Sequence, residues 1–143
     1  MPEVHLIVGI CLLASNLVAG VWGGVEWLER RPSASFWIAL RIAQATVILQ
    51  ALLGLVLTFS GHDADELHYL YGALPLAVSL LAELVRIGSA AQELGELDIH
   101  SLPEQRQTAI AMAIVRRDTG IMAVACLVIF GLALRAAGTS SAF

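Results

Sequence analysis

Four long apolar stretches alternate with short polar breaks along the chain. They cover about 4–28, 36–59, 67–87 and 119–137, and each approaches or exceeds the roughly 20 residues a helix needs to cross a bilayer core. None of them shows the period-two alternation of a half-buried strand. Apolar runs of this length satisfy their backbone internally, as helices. The pattern predicts an all-α integral membrane protein, a four-transmembrane-helix up-down-up-down bundle forming a single domain over 1–143. The first stretch is expected to be a retained helix and not a leader. Met1-Pro2-Glu3-Val4 carries no positive side chain, and the run exceeds a signal peptide's apolar core. Pro2 and Glu3 suit a helix start, where a missing N–H costs nothing and a negative charge meets the helix dipole.

A short pattern occurs twice, 63 positions apart. Residues 4–20 read VHLIVGICLLASNLVAG and residues 67–83 read LHYLYGALPLAVSLLAE. Six of these seventeen pairs are identical: His5/His68, Gly9/Gly72, Leu13/Leu76, Ala14/Ala77, Leu17/Leu80 and Ala19/Ala82. Leucine and alanine matches are cheap in apolar sequence, whereas a histidine inside such a run is costly. Each histidine has a glycine at i+4, one turn along the same helix face. The second and fourth stretches repeat more weakly, Leu53-Gly54-Leu55-Val56-Leu57 against Phe130-Gly131-Leu132-Ala133-Leu134, 77 positions apart. The chain therefore reads as two tandem hairpins, about 4–60 and 67–138, related by a pseudo-two-fold axis along the membrane normal. The larger spacing of the second match is taken up by a longer connection over 88–108, read as helical overhang plus a turn and containing Gln92, Glu93, Glu96, Asp98, His100 and Pro103. The fourth helix is expected to begin before the membrane, near Glu104.

Charge orients this arrangement. Glu29, Arg30 and Arg31 follow the first helix, Arg86 ends the third, and Arg106, Arg116 and Arg117 precede the fourth. The 61–66 connection carries no arginine or lysine, and Arg135 is the exception at that end. The positive-inside bias places both termini outside and the 88–108 connection in the cytoplasm, as in a bacterial plasma membrane. Trp22, Trp27 and Trp37 would form an aromatic belt near the inner boundary.

In such a bundle the first and third helices are diagonal across the core. One face of the first carries His5, Gly9, Leu12, Asn16, Gly20 and Gly23; the matching face of the third carries His68, Gly72, Pro75, Ser79, Glu83 and Arg86. Small and polar residues in lipid belong inside a bundle. Two imidazoles facing each other at one depth, each with a glycine one turn away, suit a bis-histidine haem b: His5 and His68 as axial ligands, Gly9 and Gly72 clearing the macrocycle, Arg135 near a propionate. Plainer roles stand beside this one. Asn16 and Ser79 are expected to hydrogen-bond across helices, and Gln44, Thr46 and Gln50 to tie helices together. Glu83 and Arg86 have i,i+3 ion-pair spacing. Tyr69 and Tyr71 read as interface aromatics, and Arg135 equally as a headgroup anchor. Around His5 and His68, the loop residues His62, Asp63, Asp65 and Glu66 offer an alternative zinc or copper site at the outer face, with a spacing that fits no specific ligand motif.

Composition closes other routes. The chain is 58% hydrophobic and 14% charged, with mean hydropathy +0.79, unlike a soluble domain of 143 residues. A net charge of −4 argues against nucleic acid. Cys11 and Cys126 stand singly, are expected to be buried small residues, and form neither a redox pair nor a covalent haem attachment motif. There is no phosphate loop, zinc-protease motif or Ser-His-Asp signal. Three classes remain. The first is a b-type cytochrome for electron transfer, needing a quinone, a redox partner protein or a second copy of the chain. The second is a cofactor-free structural or assembly subunit of a larger membrane complex. The third is a small transporter lined by Asn16, Ser79 and Glu83. In architecture alone, a four-helix bundle with haem between its helices resembles the small membrane b-type cytochromes.

Overall fold

A computed structural model describes residues 2–62, 64–95 and 101–139, apart from the Glu93 side chain. Four helices account for nearly all of them: α1 Pro2–Glu29, α2 Ala34–Phe59, α3 Glu66–Leu94 and α4 Glu104–Ala137. There is no strand among the described residues. All four helices are long and apolar enough to cross a membrane. Two of them outrun their apolar stretches. α3 continues past Ile87 to Leu94 before Gly95, at φ 44°, ends it. α4 begins at Glu104, as the polar lead-in suggested. A helix is sustained by its own backbone bonds, so it need not stop where hydropathy drops. Of the 88–108 connection, Glu96, Asp98 and His100 lie outside the described residues, as does Asp63 of the other loop.

The hairpin between α1 and α2 is built by three local devices. Arg30 adopts φ 58°, left-handed and unusual for a residue other than glycine, which turns the chain out of α1. The Arg31 N–H then bonds back to the Glu26 carbonyl at 3.0 Å. Ser33 caps α2 by accepting from the Phe36 N–H at 3.3 Å. The buried Glu26 carboxylate takes the Ser33 N–H at 3.0 Å and a short bond from the Ser33 hydroxyl. An acidic side chain near the end of one helix thus braces the cap of the next.

α4 packs along both α1 and α3, α1 also packs along α2, and α2 touches α3 more lightly. The buried interior is narrow and made largely of small residues: Ala19, Ala43, Ala82, Ala125 and Cys126 around Phe36, Leu40 and Met122, with Leu12, Val47 and Ile129 as a second group. Glycines set the closest approaches. A Cβ at Gly23 would lie 2.3 Å from the Phe36 ring, one at Gly20 2.7 Å from Leu127, and one at Gly120 2.8 Å from the Trp27 indole. Outside this interior, Ile7, Ile10, Val18, Ile38, Leu52, Leu81, Leu84 and Ile87 are all exposed. Small residues inside and branched apolar residues outside is the arrangement of helices solvated by lipid. The protein is consistent with integral membrane placement.

Candidate functional site

The expected inward face of α1 is the one that packs. Leu12, Asn16, Gly20 and Gly23 are buried, with His5 and Gly9 half-buried above them. On α3, Pro75 and Ser79 are buried and His68, Glu83 and Arg86 half-buried, whereas Gly72 is exposed.

The two repeat-related histidines meet. Their ring centres are 6.2 Å apart, with the ring planes inclined at 55°. Each imidazole is held by a different device. His68 Nδ1 lies 3.1 Å from the carbonyl oxygen of Ala136 on α4. A carbonyl only accepts, so in this bond Nδ1 carries a proton. His5 Nε2 lies 3.1 Å from the side-chain amide nitrogen of Gln50 on α2. His5 Nδ1 and Gln50 Oε1 are both buried without a hydrogen-bond partner. All four helices thus contribute to one cluster: the first turns of α1 and α3 and the closing turns of α2 and α4.

The glycines of the repeat have unequal surroundings. A Cβ on Gly9 would stand 3.1 Å from Gln50 Nε2, so the clearance there admits the amide that reaches His5. Gly72 has nothing within 4 Å of a Cβ position. Gly54, from the weaker repeat, lies against His5, its Cβ position 3.5 Å from Cε1. Arg135 sits over the ring of Tyr71, 5.7 Å from its centre, on the side of the bundle that carries His68. Tyr69 ties the adjoining loop, its hydroxyl accepting from the Ala64 N–H at 3.2 Å and pointing to the His62 carbonyl at 3.5 Å.

His62, Asp65 and Glu66 are exposed. Among the described residues no group of three or more His, Cys, Asp or Glu side chains is placed to hold a metal ion. Among the described residues the histidines form a pair and join no larger ligand cluster.

The other polar expectations divide. Gln44 donates to Glu83 at 2.8 Å, Thr46 shares a 3.1 Å bond with Ser15, and Gln50 reaches His5, so all three tie helices together. Glu83 and Arg86 form the expected pair, at 2.8 Å. Asn16 behaves differently: Nδ2 donates to the Leu12 carbonyl at 3.0 Å, one turn back on its own helix, and among the described residues no bond joins it to Ser79. Its amide is spent on its own helix, where short polar side chains can bond a carbonyl one turn back. Cys126 is buried, but Cys11 is exposed on the outer face of α1, since its position on the helix lies off the packed stripe.

A second polar group was not legible in the repeat. Arg41 of α2 pairs with Glu83 at 2.6 Å, Arg86 of α3 lies 5.7 Å from the Trp37 ring centre, and Arg86 reaches toward the buried Asp118 of α4 at 3.8 Å. Arg117 lies 3.5 Å from the same carboxylate, and Arg116 donates to the Trp27 carbonyl at 3.2 Å, at the end of α1. Glu83 is fifteen positions beyond His68 on α3, about 22 Å along the helix. This ionic group therefore knits one end of the bundle while the histidines occupy the other. The Arg41–Glu83 and Arg86–Asp118 contacts leave no local signal in the sequence, because each joins two different helices.

Comparison with known proteins gives no match: no family model, no curated protein and no solved structure is similar to this chain.

Proposed function

We propose that the protein is a small membrane b-type cytochrome that holds one haem between His5 and His68 for electron transfer. One observation carries this reading: two imidazoles from separate helices converge with no third ligand side chain beside them among the described residues. Zinc and its like take three or four protein donors. A haem brings four equatorial nitrogens of its own and asks the protein only for axial ligands. Bound haem would supply a one-electron redox centre; His5 and His68 would be its ligands, with small residues beside them, and Arg135, next to the Ala136 whose carbonyl faces His68, would serve a propionate.

The finer architecture belongs to the same reading. Contacts between the starts of α1 and α3 and the ends of α2 and α4 support an up-down-up-down bundle of two tandem hairpins with a pseudo-two-fold axis along the membrane normal. Arg30, Arg31, Arg41, Arg86, Arg116 and Arg117 gather at the opposite end, which supports a cytoplasmic placement there and outer placement of both termini in a bacterial plasma membrane. A single haem near the outer face needs an exchange partner, by chemical class a lipid-soluble quinone, a redox protein or a second copy of this chain.

The test is an absorption spectrum of protein made with ample haem. The reading expects a Soret band that His5→Ala and His68→Ala each shift or abolish. A wild-type protein that stays colourless overturns it in favour of a cofactor-free structural subunit. Haem retained unchanged in both variants would mean that the ligands are other residues.

A further inference from the structure

The ionic group at the end away from the histidines does not balance its own charge. Three guanidinium groups, those of Arg41, Arg86 and Arg117, share two carboxylates, those of Glu83 and Asp118. One positive charge is left over. Of these five side chains Arg41 is the most exposed, at 55%, so the surplus faces outward there.

Arg41 is held but not used up. Both of its bonds leave from Nη1, one to Gln44 Oε1 on its own helix and one to Glu83 Oε1 on α3. Nε and Nη2 have no acceptor among the described residues. Those two nitrogens form one edge of the guanidinium fork, with parallel N–H donors that match the oxygens of a phosphate.

Around this edge α2 is apolar. Trp37, Ile38, Arg41, Ile42 and Ala45 line a shallow, open hollow of roughly 470 Å³. The spacing i, i+1, i+4, i+5, i+8 puts all five on one face of the helix. Ile38, Ile42 and Ala45 are exposed and offer Arg41 nothing polar. Trp37, one turn nearer the helix start, is half-buried with Arg86 beside its ring. Arg41 lies seven residues past Ala34, about 10 Å along an otherwise apolar helix. An exposed cation at such a place is costly in lipid unless an anion meets it. Lipid tails suit the isoleucines but leave the guanidinium bare. A zwitterionic headgroup carries its own cation beside its phosphate. An anionic phospholipid brings both a tail for the apolar face and an uncompensated phosphate for the arginine.

We infer that this hollow is a site for one anionic phospholipid, its phosphate on the Nε/Nη2 edge of Arg41 and an acyl chain along Ile38, Ile42 and Ala45. Neither what the histidines bind nor which compartment the ionic end faces enters this assignment.

The probe is a pair of lipids with the same acyl chains, phosphatidylglycerol and phosphatidylcholine, in equal amounts in the micelles that carry the full-length chain. Native mass spectrometry counts the lipids the protein retains. One arginine near a membrane surface favours an anionic lipid about fivefold, and the wild type should retain phosphatidylglycerol over phosphatidylcholine by about that factor. Arg41→Gln should bring the ratio close to one. Arg106→Gln removes the same charge from an exposed position at the start of α4 and should leave the ratio unchanged. Ala45→Trp fills the hollow from an exposed position with every charge in place, and should lower phosphatidylglycerol retention even if Arg41→Gln fails to fold. Equal retention of the two lipids by the wild type overturns the inference. So does a preference that survives Arg41→Gln or Ala45→Trp, or one that Arg106→Gln removes as completely. A wild-type dimer that Arg41→Gln turns into monomers would show a second copy covering this face, and would overturn it too.

Discussion

Two adjacent glycines on α1 are expected to respond to the same substitution with opposite sign. Gly23 faces the core, and an added Cβ would lie 2.3 Å from Cε2 and 2.9 Å from Cδ2 of Phe36. The Phe36 ring is fully buried and meets the Trp37 ring edge-on, with centres 5.5 Å apart. It has little freedom to withdraw, so Gly23→Ala should incur an overpacking cost of about 1–3 kcal/mol. Gly24 has nothing within 4 Å of its Cβ position. Gly24→Ala adds no clash and reduces the backbone freedom of a helical position, for a gain of about 0.5–1 kcal/mol. At about 3 °C per kcal/mol for a chain of this size, the melting temperatures should separate by roughly 5–12 °C. Far-ultraviolet circular dichroism in one detergent and at one scan rate reads this directly, the fixed rate guarding against irreversible unfolding. A double-mutant cycle with Phe36→Leu locates the cause. Shortening the ring should rescue Gly23→Ala by about 1 kcal/mol or more relative to additivity. Shifts of equal sign at the two glycines, or strict additivity with Phe36→Leu, would refute the argument that the Gly23–Phe36 contact sets the α1–α2 separation.

Two further outcomes follow from the ionic end of the bundle and from its orientation. Glu83 serves Arg41, Arg86 and Gln44 together, so Glu83→Ala should destabilise by about 1–3 kcal/mol. Arg41→Ala, at a side chain 55% exposed, should cost under about 1 kcal/mol; equal shifts in thermal melts would show that Glu83 is no hub. In a background lacking Cys11 and Cys126, Thr139→Cys should react with an impermeant thiol reagent from outside intact cells and Gln105→Cys only after permeabilisation. The reverse pattern would put the histidines on the cytoplasmic face.

What could be read from the sequence was what each helix records about itself. Length and apolarity located four helices to within a few residues, and the polar residues flanking the third and fourth stretches marked where α3 and α4 run on beyond them. The His5/His68 repeat identified two side chains that the fold brings together, because equivalent positions on two helices of a bundle share depth and facing. Partner choice was not legible in the same way. Asn16 and Ser79 look alike as polar residues on matching faces, yet Asn16 turns to its own helix. Arg41 finds Glu83 across 42 positions, and Ser33 finds Glu26 across a turn made by a left-handed Arg30. Those pairings depend on helix rotation and loop path, which hydropathy does not encode. The glycines show the limit most plainly. Gly9 and Gly72 are identical in the repeat, yet one is filled by Gln50 and the other stands open.

The lengths of α3 and α4 give the molecule a blunt end and a projecting end. At 1.5 Å per residue, 29 and 34 residues measure about 44 and 51 Å, against a hydrocarbon core of about 30 Å. His68, two residues into α3, is bonded to Ala136, one residue from the end of α4, so the two helices finish together there and their surplus emerges at the other end. The far end of that paired stalk, at Leu94 of α3, stands about 39 Å along the helix from His68, so a contact made on the projecting end is remote from the imidazoles at the blunt one.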